Sequence, residues 1–233
     1  MDGDTGTFLV QLLKIMWINI LLSGDNAVVI ALACRGLTPE NRKWGIILGA
    51  GVAIVLRIIF TGVVTQLMEL PYLKIIGGIL LLWIAVQLLV ENGDEKDIKE
   101  SNNIWGAVRV IAIADLVMSL DNVVAIAAAA HGNWLLIILG LGISIPLIVF
   151  GAQLVIMMLE RWPWLVWFGA ALLGWVAGEL IADELTTERG LAPLFAGVPS
   201  SVMHYGIPVL CAALVVAVGY FLKSRHGEEE VAH

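Results

Sequence analysis

The chain has 233 residues, of which 60% are hydrophobic and only 14% charged. That balance excludes an ordinary soluble globular domain and leaves room for about seven membrane-crossing helices of roughly 20 residues with short loops. The formal net charge of −7, with no cluster of Lys and Arg, excludes a nucleic-acid-binding surface.

Hydropathy predicts seven spans in chain order: 8–33, 44–67, 71–90, 104–130, 134–159, 163–182 and 207–222. The first starts after Asp2 and Asp4, where a signal peptide would carry basic residues. No A-x-A site follows it, so this span is expected to stay in the mature protein. It holds Ser23-Gly24-Asp25-Asn26-Ala27-Val28. The fourth span repeats that pattern as Ser119-Leu120-Asp121-Asn122-Val123-Val124, a shift of 96 residues. The second and fifth spans share Gly49-x-Gly51-x-x-Ile54 and Gly140-x-Gly142-x-x-Ile145, a shift of 91. The third and sixth share Pro71-Tyr72-Leu73 and Pro163-Trp164-Leu165, a shift of 92. Cys34 and Cys211, the only cysteines, read as small apolar fillers.

Two homologous units of three spans must enter the membrane from opposite sides. The expected fold is therefore an all-α membrane protein with seven transmembrane helices, a 3+3 inverted repeat plus a C-terminal helix. Residues 1–90 form the first repeat, 91–103 an acidic cytoplasmic linker and 104–183 the second repeat. An external loop covers 184–206, and 207–233 hold the seventh helix and a cytoplasmic tail. Arg35, Arg42, Lys43, Lys96, Lys99, Arg161, Lys223 and Arg225 then fall on one side. The positive-inside rule makes that side cytoplasmic, with the N-terminus outside and the C-terminus inside. Seven of the tryptophans fall near span edges (Trp17, Trp44, Trp105, Trp134, Trp162, Trp164 and Trp167), as an interfacial belt requires.

An ionisable side chain deep in a bilayer is costly, so it reads first as a functional site. Asn19, Ser23 and Asn26 fall at i, i+4, i+7, and Asp115, Ser119 and Asn122 do the same, giving one polar stripe per helix. On an unbroken helix Asp25 and Asp121 would point about 100° away from those stripes. Either stripe and acid line different sides of one cavity, or the helices unwind near Gly24 and Leu120, more readily at Gly24. The candidate metal ligands are Asp25, Asn26, Asp121, Asn122, Asp115, Ser23 and Ser119. All are oxygen donors, which suit Mg, Ca or Mn rather than Zn or Cu(I). Two facing carboxylates also invite a proton, so metal and protons can exchange. The bland alternative is interhelical hydrogen-bond glue.

Glu179, near the end of the sixth span, is a candidate proton or entrance residue; its plainer reading is a snorkelling interfacial acid. Arg57 lies mid-span in the second helix and needs an acidic partner in the polar core; it is either a salt-bridge member or a functional switch. His131 and His204 read as solvated loop residues. No cofactor is expected, no P-loop suggests ATP use, and no protease-type motif accompanies the two acids, so an enzyme is not expected.

The paired S-x-D-N-[AV]-V segments, the 3+3 repeat with a seventh helix and the Pro-aromatic-Leu repeat resemble the TerC family (tellurium-resistance protein C). More narrowly they resemble its short YjbE-type bacterial branch, over about residues 10–222. The resemblance implies a place beside the lysine exporters, inverted repeats, and a role in manganese export or metal homeostasis, in some members tellurite resistance. It carries the site to Asp25, Asn26, Asp121 and Asn122, with Asp115 as a further acid whose first-repeat counterpart is Asn19. The chain lacks the cystathionine-synthase-type extensions of some relatives, so no nucleotide-sensing domain is expected.

The functional expectation is a secondary transporter in the bacterial cytoplasmic membrane that exports Mn²⁺ by alternating access, with protons as a candidate counter-ion and oligomerisation open. Other classes are a carrier of another solute (Ca²⁺, an amino acid or a tellurium oxyanion) and a membrane chaperone or metal-handing scaffold.

Overall fold

The computed structural model describes residues 2–21, 24–67, 70, 72–91, 103–130, 133–186, 199 and 202–231. Eight α-helices carry nearly all of them: α1 Asp2–Leu21, α2 Gly24–Cys34, α3 Pro39–Leu67, α4 Leu73–Glu91, α5 Ile104–Ala130, α6 Trp134–Arg161, α7 Leu165–Thr186 and α8 Ile207–Val231. A π-helical turn, Val202–Gly206, leads into α8. The core of the predicted linker and much of the predicted external loop lie outside the described residues.

Among the described residues, five helical stretches are long and apolar enough to cross a membrane: Pro39–Val63, Leu73–Val90, Trp134–Arg161, Leu165–Thr186 and Val202–Ser224. Helix α5 makes a sixth when its two segments, Ile104–Leu120 and Asn122–Ala130, are counted as one span bent by 64°. Over the first span expected at 8–33, α1 is described to Leu21 and α2 from Gly24, and residues 22–23 lie outside the described residues. Helix α2 has 11 residues. At about 1.5 Å per residue it is too short to cross a hydrocarbon core of about 30 Å by itself.

The helices pack as two units. The first holds Met1–Glu69 and Asn103–Met158, hence α1, α2, α3, α5 and most of α6. The second holds Leu70–Asn102 and Leu159–His233, hence α4, α7, the π-turn and α8. Packing therefore groups spans differently from the sequence repeat, because each unit takes corresponding spans from both halves of the chain.

In the first unit, α3 and α5 form the main contact. A Cβ on Gly49 of α3 would stand 2.4 Å from Ile111 Cδ1 of α5. A Cβ on Gly140 of α6 would stand 2.5 Å from Ile15 Cγ2 of α1. These contacts answer one another: Gly49 and Gly140 correspond in the repeat, and so do Ile15 and Ile111. The second-span glycine of each repeat receives the first-span isoleucine of the other. Around the Ile15 contact, Ile54, Ile126, Leu136 and Leu141 close an apolar core.

The second unit is built on small residues. Gly174 and Gly178 of α7 lie one turn apart, and α8 rests its backbone on them. A Cβ at Gly178 would meet Pro208 Cα at 2.4 Å, and one at Gly174 would meet Ala212 Cα at 2.9 Å. Such small-residue pairs let helices approach closely enough for dispersion contacts to hold them in lipid. Tyr72 precedes α4 with φ of 65°, a left-handed conformation costly for a side chain of this size. Its N–H donates to Glu184 Oε1 at 2.8 Å, which ties the start of α4 to the end of α7.

The outward surface of both units is apolar. Ile59, Ile79, Trp83, Phe150, Phe168 and Leu210 are all more than half exposed. Large exposed apolar faces of this kind mark a protein whose solvent is lipid. Trp17, Trp44, Trp105, Trp134, Trp162 and Trp164 are also exposed, as the belt reading expects. Cys34 is buried, Cys211 is half-buried, and both are free thiols.

Candidate functional site

The polar interior belongs to the first unit and is organised by Arg57 of α3, which is 2% exposed. Among the described side chains, its guanidinium reaches three from two other helices. Nη1 donates to Asn19 Oδ1 of α1 at 2.6 Å. Nε donates to Ser119 Oγ of α5 at 3.0 Å. Nη2 donates to Asp115 Oδ1 of α5, closing a buried ion pair. Ser119 Oγ in turn donates to Asp115 Oδ2 at 3.2 Å, so both carboxylate oxygens are engaged. Thr61, one turn after Arg57, donates its hydroxyl to the Arg57 carbonyl at 2.7 Å. Asn19, Asp115 and Ser119 are all buried.

Among the described residues, the acidic partner that the sequence reading required for Arg57 is Asp115. An unpaired guanidinium at this depth would cost several kcal/mol, and the fork geometry suits a carboxylate. Thr61 carried no sequence signal beyond its i+4 spacing from Arg57.

The first Asp-Asn pair lies at the start of α2. Asp25 is half-buried, and its Oδ1 accepts the Asn26 N–H at 2.8 Å, as acids do at helix N-termini. Its carboxylate also lies within electrostatic reach of Arg57 and Asp115. Asn26 is 4% exposed, yet neither Oδ1 nor Nδ2 has a hydrogen-bond partner among the described residues. A buried amide without partners loses its hydration with nothing in return, so such a group marks a place for a ligand or water. Ser23 lies outside the described residues.

The second pair lies at the bend of α5. The two straight segments meet at Asp121, and Asn122 opens the second of them half-buried. The Asp121 side chain lies outside the described residues. No proline or glycine stands at the bend. The first copy of the motif therefore falls at the start of α2 and the second at the bend of α5. Among the described residues, no three His, Cys, Asp or Glu side chains gather into a metal-binding group.

Glu179 belongs to the second unit. It is exposed on α7, and its Oε1 accepts the indole N–H of Trp175 at 2.8 Å. Further polar contacts of that unit lie where α4 starts and α7 ends. Lys74 Nζ lies 3.5 Å from Asp183 Oδ2, and His204 Nδ1 lies 3.9 Å from Asp183 Oδ1. His204 is thus exposed beside Asp183, while His131 lies outside the described residues.

Residues 4–227 match a family model described as the integral membrane protein TerC family. The uncharacterized membrane protein YjbE of Bacillus subtilis is 45% identical over 92% of this chain and 95% of its own length. The uncharacterized membrane protein YceF of the same organism is 25% identical over 91% of this chain and 82% of its own. The UPF0053 protein YegH of Escherichia coli is 24% identical over 82% of this chain and 40% of its own. No solved structure matches.

Proposed function

The chain belongs to the integral membrane protein TerC family, a multi-pass helical membrane protein, and on that premise we propose that it carries a divalent metal cation across the bilayer. Mn²⁺ is the cation we assign, moved outward from the cytoplasm. The observation that carries this reading is the placement of the two Asp-Asn pairs, one at the start of α2 and one at the bend of α5. A helix that starts or bends inside a membrane presents backbone groups beside its side chains, and secondary transporters build ion sites from such breaks. The proposed ligands are Asp25, Asn26, Asp121 and Asn122, all oxygen donors of the kind Mn²⁺ accepts. The buried Asn26 amide, without a hydrogen-bond partner among the described residues, supports a ligand there.

In this reading α1 and α2 together make the first of seven spans, and the two halves are inverted repeats that rock about the site. The reciprocal Gly49–Ile111 and Gly140–Ile15 contacts support that arrangement, since a two-fold relation between repeats generates such pairs. The excess of Lys and Arg on the linker side orients the C-terminus toward the cytoplasm of a bacterial cell. An anion carrier would need a basic core group to receive its cargo. Arg57, the basic group buried in the first unit, is instead engaged by Asp115.

The test is cellular Mn content under Mn stress, with flux measured in proteoliposomes. Asp25→Asn and Asp121→Asn should each abolish Mn tolerance and flux while the protein remains inserted. Full protection by both variants, or no ion flux from active wild-type preparations, would sink the proposal; the latter would favour a scaffold.

A further inference from the structure

The α7–α8 pair of the second unit carries an open apolar groove of about 710 Å³. Trp167 and Ala171 of α7 line it with Ala213, Val216, Ala217 and Tyr220 of α8. The packed side of α8 is a different one. A Cβ on Gly219 would stand 2.2 Å from Leu89 Cδ2 of α4, and Val215 is fully buried where it meets Gly174 of α7. The groove side leaves Ala213, Ala217 and Tyr220 exposed.

The two ends of the groove differ. At one end the rings of Trp167 and Tyr220 pair, with centroids 6.4 Å apart. Rings that carry a polar atom are favoured at headgroup depth. The other end reaches Ala212. From Tyr220 to Ala212 the helix runs about 12 Å. That is close to the depth of one leaflet, half of a hydrocarbon core of about 30 Å. A groove of that length fits an acyl chain, whereas a helix from a second copy would need one of about twice the length.

Charge lies where the groove meets the headgroups. On a 3.6-residue period, the stripe of Ala213, Val216, Ala217 and Tyr220 continues to Lys223, which is exposed. Helices α7 and α8 run antiparallel, with Gly178 on Pro208, Gly174 on Ala212 and Trp167 beside Tyr220. One turn further in that register sets Lys223 level with Trp164, and the exposed Arg161 stands three residues before Trp164. Glu160 offsets one of the two cations and leaves the other in excess among the described side chains there. The first acid of the tail, Glu228, comes about 12 Å along the helix after Tyr220, beyond the screening length of about 8 Å at physiological salt.

We propose that the α7–α8 groove is a binding site for an anionic phospholipid: one acyl chain lies along Ala213 and Ala217 beneath the Trp167–Tyr220 pair, and Lys223, aided by Arg161, holds the phosphate. The site belongs to the second unit and does not depend on the transport reading.

The experiment is tryptophan quenching by lipids brominated in mid-chain, with the full-length chain reconstituted in phosphatidylcholine vesicles. Brominated phosphatidylglycerol or brominated phosphatidylcholine replaces the host lipid in rising mole fraction. The Trp167 signal is the difference between each protein and its Trp167→Phe counterpart. In wild type, half-quenching should need about fivefold less phosphatidylglycerol than phosphatidylcholine, the preference that one basic residue at a membrane surface supplies. Lys223→Gln should lower that preference to about twofold or less, and R161Q/K223Q should abolish it. Ala213→Leu, which fills the groove, should weaken quenching by both lipids about threefold or more. Arg161, Ala213 and Lys223 are exposed, so these substitutions disturb no packed core. Equal quenching of wild type by the two lipids would mean ordinary boundary lipid and would overturn the inference. So would a preference that survives R161Q/K223Q, or unchanged quenching in Ala213→Leu. A Trp167 that neither lipid quenches would mean that a second copy or another segment covers the groove, which also overturns it.

Discussion

The two packing units share an apolar outer surface but differ inside. The first buries an arginine, an aspartate, an asparagine and a serine in one connected cluster, beside a helix start and a helix bend. The second packs glycine against backbone, and its polar contacts include partly or fully exposed ones: Lys74 with Asp183, Tyr72 with Glu184, Trp175 with Glu179. Buried polar networks are stable only when every member is satisfied, and each added helix break increases the number of groups to satisfy. Among the described residues, the connected buried polar cluster lies in the first unit and the closest glycine-to-backbone packing in the second.

That contrast can be broken from either side. The largest effect should come from Arg57→Leu, which strands Asp115 in the first unit. Removing one partner of a buried pair costs about 3–5 kcal/mol, so the melting temperature in detergent should fall steeply. A melt within a degree or two of wild type would mean that water reaches the pair. A smaller effect should follow Gly178→Val in the second unit, where a Cβ would meet Pro208 Cα at 2.4 Å. Overpacking there should cost about 1–3 kcal/mol and expose α8 to protease or hydrogen exchange, with Mn²⁺ binding by the folded fraction unchanged. Altered binding would show that the second unit takes part in the chemistry. Least affected should be Glu179→Gln: the carboxylate is exposed, and its loss should change stability by about 0.5 kcal/mol or less. Loss of flux in that variant, with stability intact, would place Glu179 on the ion or proton path.

Much of this was legible in one dimension. Apolar runs reported the membrane, because transfer into lipid depends on composition averaged over about 20 residues. The repeated Asp-Asn segment pointed to the family. A lone mid-span arginine announced that an acid must meet it. The identity of that acid was not legible, since Asp25, Asp115 and Asp121 were equally eligible by charge and only the packing of α3 on α5 brought Asp115 to the guanidinium. A helix start at Gly24 was suggested by that glycine but left open. The bend of α5 at Asp121, with neither glycine nor proline, carried a weaker signal still.

By itself, then, the sequence determined what solvent the chain lives in, which family it belongs to and which residues are too polar to lie there without purpose. Those properties are local, set by the transfer free energy of each side chain and its neighbours. Only the tertiary structure decided that spans from opposite halves pack into one unit, that Gly49 and Gly140 each receive the other repeat's isoleucine, and that Arg57 clasps Asn19 and Asp115 together. Those outcomes depend on contacts between residues tens of positions apart. Shape and charge complementarity select them in three dimensions, and no window of hydropathy contains them.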